Sequence, residues 1–427
     1  MFRSLFSLAL LPVLCLPSLA VAESPNASDK KNIPLTDPSR FGAPQAQGEQ
    51  TEEMKRLTAA GIYEGHPGSL TFLRWKGTNP PAVFHAGLWG PQITNEHAAL
   101  LSGLPDLESI EIHETAIDDS GAKALAKLPK LRRLTVSAVD RFQKAGIPRI
   151  QWSYPWLPAV ENRPRLTGKA LEVLSALPAL DFLDLRDTGV RCTELGVLAS
   201  FPKLAEVGLP CPIDAETLRH LRACKSVSAI LLGGREISAS EIELLAGLPS
   251  LKRLTLRQAR LSREALTAME NLPKVTTLTL YDCGITDSQL VHLGKPPSLT
   301  QLELVRNAIE GPGLTRLSSF SLQKLELMMN NLSNASLAQL ASLNTLEDLQ
   351  IAYNVAITDS GIQSGILQGM KQLKQLELRG LTGVTDASLK ALSQFGHLKQ
   401  IGIREAKISW ESVDAMRAAM PDTRVFK

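Results

Sequence analysis

The chain has 427 residues, 44% of them apolar and 5% aromatic, with a formal charge of +3. That is ample material for a buried core but too few rings for one bulky globular centre. So small a charge excludes a polybasic surface of the kind that holds nucleic acid, and there is no acidic tail.

In chain order, Met1, Phe2 and Arg3 precede an apolar run from Leu5 to Ala20, and Ala20-Val21-Ala22 supplies the small residues a signal peptidase needs. Residues 1–22 therefore read as a signal peptide cleaved near Ala22, leaving a secreted or periplasmic chain that starts at Glu23. The compact leader suits a bacterial origin. Cys15 follows Leu14 where lipoprotein processing needs a small residue, which argues against a lipid anchor. No later apolar stretch reaches about 18 residues, so no further membrane span is expected. Residues 23–50 are polar and Pro-rich and read as a flexible tether. Residues 51–82 read as an N-terminal cap, with a helical stretch at Glu52–Leu57 and a strand from Leu70 to Trp75.

From Val83 onward one spacing recurs, as in Leu107-x-x-Ile110-x-Ile112 followed by Thr115, Ile117, Asp118-Asp119, Leu125, Leu128 and Pro129. Successive copies start at Val83, Leu107, Leu131, Leu180, Leu204, Val227, Leu251, Val275, Leu299, Leu322, Leu346, Leu373 and Leu398, with spacings of 24, 24, 49, 24, 23, 24, 24, 24, 23, 24, 27 and 25. Apolar residues at positions 1, 4 and 6 alternate as in a strand, and later ones follow helical spacing, so each copy predicts one strand and one short helix. Thr and Asp in Ile285-Thr286-Asp287, Ile357-Thr358-Asp359, Val384-Thr385-Asp386 and Ile117-Asp118-Asp119 are placed to accept the first free helix amides. A proline at the end of most copies stops the helix before the next strand.

The pattern resembles the leucine-rich-repeat family, in particular its short cysteine-containing and ribonuclease-inhibitor-like types, over residues 83 to about 422. The resemblance implies an α/β solenoid, a horseshoe of about thirteen repeats of about 24 residues with a parallel concave sheet, within a domain spanning 83–427. It also implies that position 9 bonds the neighbouring turn. Thr115, Thr188, Cys283, Asn307, Asn330 and Asn354 fit that role, whereas Pro91, Val139, Pro212, Arg235, Ala259, Leu381 and Ala406 depart from it, so those turns must be satisfied differently. Trp410 and Val425-Phe426 are placed to cover the last repeat.

Positions 3, 5 and 7 point away from the buried 4 and 6 and line the open sheet face. Position 7 carries Tyr281, Val305, Met328 and Ala352 in successive copies, joined at position 8 by Met329 and Tyr353. All six are expected to be exposed, as an adaptable apolar stripe for a partner. Position 5 carries Glu303 and Glu326 on neighbouring strands, so a cation should sit near them; Lys324 at position 3 suffices, and a partner's lysine or arginine or a calcium ion are the alternatives. The 49-residue step leaves an insertion at about 138–165 with Trp152, Tyr154 and Trp156 among prolines. It reads either as a stiff aromatic binding loop or as a loop packed on the solenoid edge.

After cleavage Cys192, Cys211, Cys224 and Cys283 remain, an even number that permits disulfides without fixing their pairing. None falls in a Cys-x-x-Cys pair, and His220 and His292, three copies apart, are too distant to share a metal. No metal, cofactor or catalytic residue is expected, since the motifs for nucleophilic, metal-dependent and phosphate-binding chemistry are absent. These readings favour an extracytoplasmic, non-enzymatic scaffold that binds a protein or peptide on its concave face. The alternative is a self-associating structural envelope protein, and a lesser one is an enzyme using the inserted loop.

Overall fold

The computed structural model describes residues 71–76, 82–89, 93–113, 115–137, 166–186 and 188–427. The leader, the tether, most of the segment read as a cap, and the insertion with Trp152, Tyr154 and Trp156 lie outside the described residues.

Each of the thirteen repeat starts leads into a strand: β2 (Ala82–Trp89), β3 (Ser109–His113), β4 (Arg133–Ser137), β5 (Phe182–Asp184), β6 (Glu206–Gly208), β7 (Ala229–Gly233), β9 (Arg253–Arg257), β11 (Thr277–Tyr281), β12 (Gln301–Glu303), β13 (Lys324–Glu326), β14 (Asp348–Gln350), β15 (Gln375–Glu377) and β16 (Gln400–Gly402). They pair in chain order into one parallel sheet, extended by a parallel β17 (Arg424–Phe426) at one end and an antiparallel β1 (Thr71–Lys76) at the other. Two short strands, β8 (Glu236–Ile237) and β10 (Arg260–Leu261), pair separately.

The register follows from the repeat. Leu254, Leu278 and Leu302 stand opposite one another, as do Leu325, Leu349 and Leu376, and each is at most 2% exposed. A one-residue slip would carry every such leucine to solvent, so the apolar period alone holds the register. The 49-residue step does not disturb it, because Leu134 of β4 faces Leu183 of β5 directly. The 27-residue copy accommodates its surplus with a second short helix, Ile366–Gly369, after Asp359–Ile362.

The expectation of a helix in every copy is only partly met. Cys192–Ser200 and Pro312–Ser319 are 3-10 segments, which rise about 2.0 Å per residue against about 1.5 Å in an α-helix, so the same number of residues spans a longer gap in a narrower, tighter winding.

The Thr and Asp residues before these helices divide their labour in a way that corrects the capping expectation. Asp118, Thr167 and Thr385 do accept an amide of their own helix, from Ser120, Lys169 and Ala387. The aspartate that follows reaches instead into the next copy. Asp287 accepts the amides of Glu310, Gly311 and Gly313 at 2.8, 3.1 and 2.6 Å, and Asp119 takes the amide and hydroxyl of Thr167 at 2.7 and 2.6 Å. Asp359 likewise takes the amide and hydroxyl of Thr385 and the side chain of Ser388. Those bonds outweigh the cost of burial and hold the Asp359 carboxyl below its ordinary value. A depressed folded pKa contributes stability that is present above the ordinary value of about 3.9 and lost as pH falls through the folded one. Asp359→Asn should therefore weaken the protein at pH 7 and flatten the acid limb of its stability profile below about pH 4. A pair of unchanged acid-unfolding curves would remove this role.

Position 9 forms a second set of ties. Asn307 accepts the amides of Cys283 and Ile285 at 3.1 Å and donates to the Leu280 carbonyl at 2.8 Å. Asn330 accepts from Ile309 and donates to the Leu304 carbonyl, and Asn354 repeats the pattern toward Asn330, Leu332 and Leu327. Where Arg235 replaces the asparagine, its guanidinium donates to the Cys211 carbonyl and pairs with Glu241 at 2.7 Å, while Glu241 accepts the Ile213 amide. Two residues thus do there what one asparagine does elsewhere.

Cys192 and Cys211 form a disulfide between adjacent copies, with Cα atoms 6.0 Å apart, and Cys224 and Cys283 are free thiols. Burial pushes the Cys224 thiol up to about 11 and the Cys283 thiol up to about 12. At pH 8 a colourimetric thiol reagent should find no reactive cysteine in a native chain beginning at Glu23, two after unfolding without reductant, and four after reduction. A rapidly reacting native thiol would contradict this burial.

Candidate functional site

The open face of the sheet is built from positions 3, 5 and 7, and the structure puts a groove of about 420 Å³ across it from β4 to β12. Thr255, Thr277 and Thr279 line its middle, with Arg133, Arg253 and Arg257 toward one side and Tyr281 and Glu303 toward the other. Arg253 is paired with Glu206 at 3.1 Å. The Arg133 guanidinium lies over the Phe182 ring, 3.8 Å from its centroid.

Tyr281 is half-buried between two cations, with the Arg257 guanidinium 4.6 Å and the Arg306 guanidinium 5.7 Å from its ring centroid. Arg306 also donates to the Tyr281 hydroxyl at 3.4 Å and lies 3.7 Å from Asp282. Such stacking fixes ring and guanidinium together and leaves little rotamer freedom to lose on binding.

The apolar stripe is narrower than expected. Val305 and Met328 are half-buried and Met329 is 40% exposed, but Ala352 is fully buried, which corrects its placement on the surface. A single methyl group does not clear the side chains around it. Tyr353 is partly exposed; its hydroxyl donates to the Glu405 carboxylate at 3.2 Å, and its ring lies so close over Gly380 that a Cβ there would come within 2.3 Å of Cδ1.

Tyr353 and Met329 join this face because of their backbones. Gln258, Asp282, Arg306, Met329, Tyr353 and Glu405 all have φ between 53° and 62°, and Gly234 and Gly380 hold the same position at 70° and 67°. Position 8 is thus left-handed in eight successive copies, a conformation costing a residue with a Cβ about 1 kcal/mol. It breaks the strand alternation and turns these side chains into a row along the edge of the sheet. Gly234 and Gly380, both at position 8, were the sequence signal for this turn, and neither it nor the arginines flanking Tyr281 follow from apolar periodicity.

Glu303 and Glu326 do stand side by side on β12 and β13, with Lys324 Nζ 3.9 and 3.6 Å from them. Thr279 donates to Glu303 at 2.8 Å. Burial first, and then repulsion from Glu303, push the Glu326 carboxyl up against the pull of Lys324. Asp348, on the next strand beside Lys324, is pushed up by burial and accepts weak bonds from Gln350. The lysine foreseen from the sequence is therefore where those carboxylates need it. Among the described residues no group of three His, Cys, Asp or Glu side chains is arranged to hold a metal ion.

A model of the leucine-rich repeat family matches residues 295–318 and 342–364. No curated protein matches the sequence. Similar solved structures include an internalin of Listeria monocytogenes at 16% identity, covering 77% of this chain and 82% of that one, with a TM-score of 0.38. The TLR13–ssRNA13 complex aligns at 18% identity over 78% of this chain and 50% of that one, with a TM-score of 0.42. Internalin C2 of Listeria monocytogenes aligns at 19% identity over 57% of this chain and 92% of that one, with a TM-score of 0.35. The two matched segments fall in copies whose strands keep the register of their neighbours and whose position-9 residues, Asn307 and Asn354, tie adjacent turns, and the described array has the leucine-rich-repeat solenoid fold.

Proposed function

We propose that this protein is an extracytoplasmic scaffold that binds a protein or peptide on its open sheet face. The observation that carries this reading is the groove from β4 to β12, where pre-ordered polar and aromatic side chains converge on the open sheet face. Thirteen strands about 4.8 Å apart give that face an arc of roughly 60 Å, the scale of a protein domain. The apolar leader and the Cys192–Cys211 disulfide support an oxidising compartment. No helix among the described residues is long and apolar enough to cross a membrane. In this reading Tyr281, Val305, Met328, Met329 and Tyr353 supply apolar contact, Glu303 and Glu326 supply charge, and the Trp152, Tyr154 and Trp156 loop supplies a further anchor.

The test compares chemical crosslinking and pull-down from an extracytoplasmic fraction by the wild type and by a Tyr281→Ala, Met329→Ser, Trp152→Ala variant of equal melting temperature. A protein retained only by the wild type supports the scaffold. If both retain nothing but copies of themselves, self-assembly replaces it.

A further inference from the structure

The open face is unequal in charge along its length, and the inequality is only partly compensated internally. On the β9 side Arg133 and Arg257 have ring partners but no ion pair among the described residues. A guanidinium stacked face-on to a ring keeps its edge N–H groups free for a carboxylate. On the β12 to β14 side Glu303, Glu326 and Asp348 share the single ammonium of Lys324. Between the two lies neutral ground, where Thr277 and Thr279 already spend their hydroxyls on Gln301 and Glu303.

Building on the scaffold reading above, we propose that this face recognises an extended polypeptide segment laid across the strands, with an acidic residue over Arg257 and a lysine or arginine over Glu303 and Glu326. Two to three strand steps, about 10–14 Å, separate the two charges across the sheet, and Arg257 stands two residues beyond the Thr255–Thr279–Glu303 row along the strands; with an extended chain rising about 3.3 Å per residue, the opposed charges sit three to five residues apart. A polyanion would meet the carboxylates and a polycation the arginines, so only a segment bearing both signs is complementary along the whole groove. The order of the charges also sets the direction in which the segment lies.

The experiment pans a random dodecapeptide phage library against the full chain, and against Arg257→Glu, Glu326→Gln and Tyr281→Ala variants with melting temperatures matched to the wild type. Recovered sequences are then measured as fluorescent synthetic peptides. The wild type should enrich peptides with an Asp or Glu three to five residues from a Lys or Arg. Arg257→Glu should weaken such a peptide at least about 10-fold and restore binding to the version in which its acid is replaced by lysine. Because Arg257 is exposed, that result does not depend on whether Glu326→Gln folds. Peptides that bind the wild type, are lost with Tyr281→Ala, and show neither charge pairing nor sensitivity to Arg257→Glu would overturn this inference and leave the scaffold intact. Enrichment equal on all four proteins, or on none, would overturn both.

Discussion

Replacing Asn354 with Ala should lower the unfolding free energy by about 3 kcal/mol or more. The side chain is completely buried. Its Oδ1 accepts the amides of Asn330 and Leu332 at 3.1 Å, and its Nδ2 donates to the carbonyls of Leu327 and Ile351 at 2.9 and 2.8 Å. Truncation strands at least two buried amides, each costing about 1–3 kcal/mol when left unpaired. Because three of those four partners lie in the preceding copy or at its turn, the loss falls on the joint between repeats rather than within one. Urea unfolding followed by circular dichroism checks it, and a decrease below about 1 kcal/mol would mean that the turn is satisfied without Asn354.

Leu278→Ala should cost about 2–5 kcal/mol by leaving a cavity in the centre of the array. Leu278 is fully buried on β11 with Leu254 on one side and Leu302 on the other, in register. A short parallel strand has no slack to collapse into the void, since moving β11 would pull on both neighbours. Stability in such an array is close to a sum of copy and interface contributions, so weakening one interior layer can also divide the unfolding transition, which a lowered m-value would reveal. Met329→Ser serves as the comparison: with 40% of its surface exposed, it should change stability by no more than about 0.5 kcal/mol. Equal effects at the two positions would mean that the assignment of buried and open faces is wrong.

The fold was legible in the sequence because a repeat writes the same physical statement many times. Leucine at positions 1, 4 and 6 states which face of each strand is buried, and the recurring interval of about 24 residues states which strands are neighbours. The 49-residue step could be read as an insertion for the same reason, and Leu134 facing Leu183 shows the register passing it undisturbed. The site was less legible. Glu303, Glu326 and Lys324 emerged from strand alternation alone, since neighbouring position-5 carboxylates must find a cation. Ala352 did not, because alternation says which way a side chain points and not whether it is long enough to reach solvent.

Beside the asparagine ties that the family resemblance implied, what the sequence by itself determined is the periodic part: strand register and the buried leucine column. These depend on local spacing and on identical neighbours, so no knowledge of the assembled shape is needed. What only the tertiary structure decided are particular contacts that the repeat does not write. Asp287 and Asp359 cap the next repeat rather than their own, Arg235 and Glu241 jointly replace an asparagine, Cys192 pairs with Cys211, and Arg257 and Arg306 enclose Tyr281. Each of these needs particular groups to meet in space, and a one-dimensional period does not encode the distance between them.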